Sequence, residues 1–244
     1  MNLHWRRVRP MARKELRDLR RNRFILLTMS LAPVIFVVMP MVQIFAIHAD
    51  APSTSLSARV GLSLVYMLII PAVIPSTLAA YAIVGEREQG TLESLLTTPI
   101  RGVEIQLGKA LAVLAPTLVI AYSVFGIFFA AVGLFADPII ASAVFEASHL
   151  LVPLLFTPLL ASWSVWAGIA ISTRASDVRV AQQLATFASF PPPILAGLMS
   201  FGVVTASVGL ALVLAAALLA IDILGWRVVA AGFDRERLIV GRKQ

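Results

Sequence analysis

Long runs of apolar residues alternate with short charged segments along the chain. A helix that crosses a hydrocarbon core about 30 Å thick needs roughly 20 apolar residues, because each residue rises only about 1.5 Å. Six stretches reach that length. The pattern therefore predicts an all-α fold with six transmembrane helices, at residues 24–47, 61–84, 110–134, 150–172, 184–204 and 206–226.

The last two of these runs are separated by only a few residues. Three consecutive prolines, Pro191 to Pro193, also interrupt the fifth run, and proline removes a backbone donor from a helix interior. Two arrangements fit this pattern. Either both runs cross the membrane, or one of them is a pair of half-helices that re-enters from a single face.

The composition agrees with an integral membrane protein. Of 244 residues, 59% are hydrophobic and only 14% are charged. The net charge of +7 does not indicate a nucleic-acid-binding protein, since the basic residues flank apolar runs instead of forming one soluble patch. The chain has no cysteine, which excludes disulfides, thiolate metal sites and a thiol nucleophile.

The basic residues also predict the orientation, because lysine and arginine are retained on the cytoplasmic side. Every one except Arg59 falls in residues 1–23, 85–109, 173–183 or 227–244, which the six spans bring to one face. Both termini are therefore expected in the cytoplasm of a multi-pass cell-membrane protein. The first apolar run is too long for a cleaved signal core and should remain as an anchor.

The residues before the first span form an amphipathic pattern. Trp5, Val8, Leu16 and Leu19 recur with Ala12 at helical spacing, so they share one side of a helix whose other side carries arginines. Pro10 would fit best in the first turn of that helix. We expect a helix at the membrane surface whose arginines meet anionic head groups, with docking of a partner as a compatible second role.

The segment 85–100, GEREQGTLESLLTTPI, contains two glycines that should interrupt the chain. Gly85 is expected to end the second span in a left-handed cap, and Gly90 to break the chain again. Residues 91–97 can then form about two helical turns with a leucine face. Thr98 and Pro99 fit as the N-cap and first-turn residue of a helix that leads into the third span.

These motifs, followed by Gly108 and Lys109, resemble the cytoplasmic loop of ABC-2 type transporter permeases. The resemblance covers essentially the whole chain. It implies one transmembrane domain over 1–244: an amphipathic helix (1–23), spans 1–2 (24–84), a coupling loop (85–109), spans 3–6 (110–226) and a cytoplasmic tail (227–244). It also implies that the loop docks on a separate ATP-binding subunit through Glu86, Arg87, Glu88, Gly90, Thr91, Leu92, Glu93, Leu95, Leu96 and Pro99.

The same resemblance implies the partners and the role of the chain. Two permease chains, identical or closely related, would pair above two ATP-binding subunits that carry the ATP and Mg. This chain would be a non-enzymatic permease without a cofactor and would take part in export. The scarcity of ionisable residues within the predicted spans, not the resemblance, indicates a hydrophobic or amphipathic substrate. The competing interpretations are an ion-coupled carrier that needs no ATPase and a non-transporting scaffold or membrane-embedded enzyme, for which the sequence shows no set of catalytic residues. For the loop itself, the alternative is an ordinary interfacial segment whose charges face water.

Other chemistry is absent from the sequence or poorly supported by it. Gly102, Gly108 and Lys109 do not have the spacing of a phosphate-binding loop, and no threonine or serine follows the lysine. The three histidines lie far apart, so we expect neither a metal site nor a catalytic site. Asp222 is the one acid well within a predicted span, and we expect it to pair with Arg227 more readily than to bind a substrate.

Overall fold

The structure is a computed structural model that describes residues 5–47, 53–88, 90, 101–200 and 208–231. Every secondary-structure element within these ranges is a helix, which confirms the predicted all-α class. The described residues form nine helices: α1 (Trp5–Arg21), α2 (Arg23–Phe45), α3 (Ser53–Glu88), α4 (Gly102–Phe135), α5 (Pro138–Val144), α6 (Ala147–Ser172), α7 (Val178–Ser189), α8 (Pro191–Ser200) and α9 (Val208–Ala231).

Four helices in the described parts of the chain are long and apolar enough to cross a membrane. They are the stretches Leu56–Glu88 of α3, Gly102–Phe135 of α4, His149–Ser172 of α6 and Gly209–Ala230 of α9. Helix α2 contributes a shorter apolar stretch, Leu31–Phe45. The chain is therefore a membrane protein, and four of the six predicted spans coincide with such helices.

The predicted fifth span, residues 184–204, is not one continuous helix in the structure. Helices α7 and α8 are separate and meet at Phe190, directly before the three prolines. Their 12 and 10 residues rise about 18 and 15 Å, less than the thickness of a hydrocarbon core. Helix α7 also begins earlier than predicted, because the Asp177 carboxylate accepts a hydrogen bond from the Val180 amide and caps the helix at Val178.

Helix α3 forms the centre of the bundle. Its apolar window is 76% buried, against 22% for α4 and 17% for α9. Helix α6 packs closely on α3 at Gly168. A Cβ at that position would lie only 2.8 Å from the Ser76 carbonyl oxygen, so glycine permits the close approach. The Ser172 hydroxyl joins the same two helices by donating to the Ala80 carbonyl oxygen and accepting from the Val84 amide.

The remaining helices surround this pair and leave large apolar side chains on the outside. Helices α2, α4 and α9 each expose such residues, for example Val38, Ile127 and Leu224. An apolar outer surface is unfavourable in water and favourable in the hydrocarbon core of a membrane. The described bundle therefore has a lipid-facing exterior around a core centred on α3.

One predicted helix end is wrong. Helix α3 continues through Gly85 to Glu88, so Gly85 is not a left-handed cap. A Cβ at Gly85 would lie 2.8 Å from the Tyr81 ring, so a larger residue there would require that ring to move. The left-handed backbone occurs at Gly90, with φ of +68°. Helix α4 begins at Gly102 after Arg101, and the predicted start at Thr98 and Pro99 lies outside the described residues.

The first helix also differs from the prediction at Pro10. Helix α1 begins at Trp5, so Pro10 lies in its interior instead of its first turn. The Pro10 ring is exposed. A proline at this position leaves one carbonyl in the preceding turn without its usual donor, and on an exposed helix face water can hydrogen-bond to that carbonyl.

Candidate functional site: the charged end of the bundle

Three charged residues that the resemblance assigns to docking form the last turn of α3. Glu86, Arg87 and Glu88 are consecutive, and successive side chains on a helix point about 100° apart. Each of the three therefore faces a different neighbour. We call them the charged triplet.

Glu86 binds a lysine that is almost fully buried. The Lys109 ammonium lies 2.8 Å from Glu86 Oε2 and 3.2 Å from Glu15 Oε1, and the Lys109 side chain is only 2% exposed. Lys14 adds a second cation, with its ammonium 3.5 Å from Glu86 Oε1. A buried ammonium is costly unless it is paired, so two carboxylates around Lys109 meet that requirement. The first contact joins α3 to α4, and the others bring in α1.

The charges in this cluster shift the pKa values of its α1 members. Burial raises the pKa of Glu15 and Glu86 adds to this effect, while Lys109 and Lys14 oppose it. Burial alone would lower the pKa of Lys14, but Glu15, Glu86 and Asp18 together raise it above its ordinary value. Lys14 is therefore held in its charged form, and Glu15 is the acid in this cluster that burial makes harder to ionise.

Arg87 binds the end of α6. Its guanidinium donates to the Ser172 carbonyl oxygen at 3.1 Å and to the Ala175 carbonyl oxygen at 3.2 Å. The last carbonyls of a helix lack intrahelical donors and carry partial negative charge, so a guanidinium satisfies both needs. Arg87 therefore fixes the C-terminal end of α6 against the end of α3.

Glu88 binds the beginning of α7. Its Oε1 accepts a hydrogen bond of 3.1 Å from the Val178 amide, beside the cap that Asp177 provides to the Val180 amide. A carboxylate is favourable at a helix N-terminus because free amides and the helix dipole are directed toward it. Glu88 is nevertheless exposed to solvent, so this contact is on the surface. The triplet thus joins α3 to α1, α4, α6 and α7.

Helix α1 packs along the first turns of α4. Met11 lies directly over Gly108, where a Cβ would come within 2.6 Å of the Met11 Cγ. Further along, Arg7 lies 3.9 Å from Glu104, which is 1% exposed and also accepts a hydrogen bond of 3.0 Å from the Arg101 amide. The Gly108–Lys109 pair singled out in the sequence therefore has two structural roles: close contact for Met11 and a charge for Glu86.

The predicted apolar face of α1 is only partly buried. Val8 is fully buried, and Leu16 and Leu19 are half-buried. Trp5 stays a predicted membrane-surface residue, and it is 59% exposed within this chain. The reason is that Trp5 is the first residue of the helix, whereas the contacts with α4 extend from Arg7 to Glu15.

Most of the predicted docking residues cannot be described in the same way. Thr91, Leu92, Glu93, Leu95, Leu96 and Pro99 lie outside the described residues. Gly90 is exposed, and its amide donates to the Arg87 carbonyl oxygen at 3.1 Å. The described residues on either side are the charged triplet and Arg101, so the segment 91–100 connects two anchored helix ends.

The buried acid within the bundle has a different partner from the predicted one. Asp222 is 3% exposed, and its Oδ1 accepts a hydrogen bond of 2.9 Å from the Trp166 indole nitrogen of α6. Arg227 is exposed. Residues five apart on a helix differ by about 140° in direction, so the two side chains point away from each other. The expected ion pair between them is therefore wrong.

The buried lysine is the feature that sequence reasoning missed. In the sequence, Lys109 belongs to the family motif and to a segment without the spacing of a phosphate-binding loop. Neither pattern predicts a partner for its charge. One signal was available: a single cation at the start of a long apolar run requires a counter-ion, and Glu86 lies at the end of the preceding run.

Among the described residues, no group of three or more His, Asp or Glu is arranged to hold a metal ion.

Comparison with protein families gives a match over most of the chain. The family described as "ABC-2 family transporter protein" matches residues 9–234. The matched range contains the charged triplet, Lys109, the segment 91–100 and all nine described helices except the first turn of α1. No curated protein matches the chain.

Proposed function

The chain belongs to the ABC-2 family of transporter proteins, and from this premise we propose that it is the membrane-spanning permease subunit of an ATP-driven exporter. A separate ATP-binding subunit supplies the energy and docks on the segment 91–100. The substrate is hydrophobic or amphipathic. Two permease chains form the transport pathway between them, and one ATP-binding subunit lies beneath each.

The observation that carries this proposal is the charged triplet. It lies directly before the docking segment and bonds to α1, α4, α6 and α7. A displacement of the segment 91–100 by the ATP-binding subunit would therefore act on α1, α3, α4, α6 and α7 together, since all five meet at the charged triplet. Buried charge pairs and helix-end contacts are short-ranged, so they transmit displacement only while they remain intact.

This geometry sharpens the role of the three charged residues. Glu86 and Arg87 make their described contacts within the chain, with Lys109 and with the Ser172 and Ala175 carbonyls at the end of α6 and just after it. We therefore assign them to transmission of the docking movement. Direct contact with the ATP-binding subunit is assigned to the leucine face of residues 92–96 and to Glu93. Glu88 is exposed and can serve both roles.

The nature of the substrate follows from the scarcity of ionisable side chains within the predicted spans. A pathway between two such chains offers few partners for a charged solute. We therefore propose a hydrophobic or amphipathic substrate.

Docking is tested by affinity purification of the full chain from membranes of its own host. We expect a protein with a complete phosphate-binding loop to co-purify with the wild type and to be lost with Leu92→Asp or Leu95→Asp. The matched control is Ser176→Asp, which adds the same charge at an exposed position outside the segment. Equal co-purification with all four proteins would overturn the docking assignment.

Transmission is tested with Arg87→Gln, which removes the bonds to the α6 carbonyls. We expect the ATP-binding subunit to co-purify normally while ATP-dependent transport in vesicles falls at least tenfold. Loss of co-purification would instead place Arg87 in the docking surface. Normal transport would show that the α3–α6 contact has no part in coupling.

A second function is favoured by one observation. The Oδ2 atom of buried Asp222 has no hydrogen-bond partner among the described residues, and buried carboxylates serve ion-coupled carriers. If the chain is such a carrier, a proton or sodium gradient drives transport in vesicles without ATP, and Asp222→Asn abolishes it. ATP-dependent transport that survives collapse of both gradients would exclude this alternative.

A further inference from the structure

The exposed side of α1 carries a row of arginines. Arg9, Arg13 and Arg17 recur every four residues, so they lie above one another on one face, and all three are exposed. The side of the helix that contains Val8 and Met11 is turned toward α4. The arginine row is therefore directed away from the bundle.

These arginines surround a shallow depression. Its volume is about 510 Å³, and it is lined by Arg9, Pro10, Arg13, Lys14 and Arg17. None of the three arginines lies within 4.0 Å of a carboxylate of the described residues, whereas Lys14 is paired with acids of the cluster at the end of α3. Three guanidiniums without a described counter-ion create a strongly positive surface that favours a phosphate.

The position of α1 along the bundle identifies the source of that phosphate. Helix α1 contacts α4 from Glu104 to Lys109, and this stretch of α4 rises about 7.5 Å. The predicted third span begins at residue 110, and the head-group layer of one leaflet is roughly 6 Å deep. The arginine row is thus at the level of lipid head groups, not deep in the aqueous phase.

The connection to the next helix supports the same position. Only Asn22 separates α1 from α2, and the apolar part of α2 follows within a few residues of Arg23. The end of α1 therefore cannot move far from the edge of the hydrocarbon core. Arg20 and Arg21 extend the basic surface to that edge.

We propose that the row Arg9, Arg13 and Arg17 binds the phosphate head groups of anionic phospholipids in the adjacent leaflet. The apolar side of α1 holds α4, and the guanidinium side holds the membrane surface. This differs from an ordinary interfacial helix, which buries its apolar face in the lipid. The inference is independent of which substrate the chain transports and of whether an ATP-binding subunit docks.

The test uses the purified full chain in neutral detergent micelles. The unfolding midpoint is measured while dioleoyl phosphatidylglycerol, dioleoyl phosphatidylcholine or glycerol 3-phosphate is added. We expect phosphatidylglycerol alone to raise the midpoint of the wild type. Each basic residue near an anionic surface strengthens binding about fivefold. The variant Arg9→Gln/Arg13→Gln/Arg17→Gln should therefore need on the order of 100-fold more phosphatidylglycerol to reach the same rise in unfolding midpoint.

Two variants provide the controls. Arg174→Gln/Arg179→Gln/Arg227→Gln removes the same amount of charge from exposed positions elsewhere and should respond like the wild type. Arg9→Lys/Arg13→Lys/Arg17→Lys retains the charge and should keep most of the response. Because the three arginines are exposed, none of these substitutions removes a buried contact.

The outcomes separate the alternatives. An unchanged phosphatidylglycerol response in the triple glutamine variant would overturn the proposal. Equal stabilisation by glycerol 3-phosphate would assign the depression to soluble phosphates and would also overturn the membrane assignment. If the same variant lost a co-purifying protein while its lipid response stayed normal, the row would be a protein-docking surface.

Discussion

At the scale of single residues, Lys109 is the most informative side chain. It is 2% exposed, and the Glu86 and Glu15 carboxylates that compensate it come from two other helices. Removing the cation leaves two partly buried acids facing each other. The energetic penalty then comes from the uncompensated carboxylates more than from the lost attraction.

We expect Lys109→Met to lower the free energy of unfolding by about 3 kcal/mol, as measured by chemical unfolding in detergent micelles. The matched control is Lys14→Met, which removes a 51% exposed lysine from the same cluster and should cost no more than about 1 kcal/mol. Adding Glu86→Gln to Lys109→Met should recover part of the loss. Equal effects of the two lysines would contradict the burial argument.

Glu15 gives a pH-dependent prediction. Burial raises its pKa in the folded chain above the ordinary value of 4.5, so the folded state binds protons more tightly than the unfolded state. As pH rises from 4.5 through the raised pKa, Glu15 should therefore destabilise the fold progressively. The measurement is the unfolding midpoint of wild type relative to Glu15→Gln, which should decline over this pH range.

At the scale of helices, the contact between α3 and α6 is the least adaptable. At Gly168, an added Cβ would meet the Ser76 carbonyl oxygen at 2.8 Å and the Ala79 Cβ at 2.9 Å. Backbone atoms of a central helix cannot move aside as a flexible side chain can. Small residues permit such close approach between membrane helices, and a larger residue forces the two axes apart.

Gly168→Ala should therefore lower the free energy of unfolding by about 1 to 3 kcal/mol. Gly126→Ala is the matched control within α4, since a Cβ there meets nothing within 4 Å. It should be neutral or stabilising by less than about 1 kcal/mol, because alanine favours a helix over glycine. Chemical unfolding in the same detergent distinguishes the two, and an equal loss in both variants would refute the packing explanation.

The helices also show which parts of the fold could be predicted from the sequence. Apolar run length identified α3, α4, α6 and α9, because the hydrocarbon thickness fixes that length. Run length could not show that α3 continues through Gly85 to Glu88, where the Arg87 guanidinium bonds to the Ser172 carbonyl oxygen of α6. The motif singled out the triplet, but the partners of Arg87 and Glu88 are 85 or more residues away. The partners of Glu86 are Lys109 of α4 and Lys14 of α1, so none of these contacts lies within the local sequence of the triplet.

At the scale of the whole molecule, the distribution of charge predicts the orientation in the membrane. The charged triplet, α1 and the loop between α6 and α7 occupy one end of the described bundle, as their contacts with one another require. The sequence predicts that this end is cytoplasmic. The helix α5 follows the other end of α4 and should therefore be outside.

The natural absence of cysteine makes this orientation directly testable. Ser142→Cys on α5 and Ser176→Cys between α6 and α7 each introduce one thiol at an exposed position. In intact cells, a membrane-impermeant maleimide should label Ser142→Cys. It should label Ser176→Cys only after the membrane is opened. The reverse labelling pattern would invert the predicted topology.

The long sequence separation of the triplet's contacts also has a consequence for biogenesis. Arg87 bonds to carbonyls that are 85 and 88 residues further along the chain, and Glu88 to an amide 90 residues further. At a synthesis rate of about 5 to 20 residues per second, these partners leave the ribosome roughly 4 to 18 seconds after the triplet. During that interval the end of α3 cannot make these bonds. The contacts of the charged triplet with α6 and α7 therefore form only after these helices have been synthesised, as a late step of assembly in the membrane.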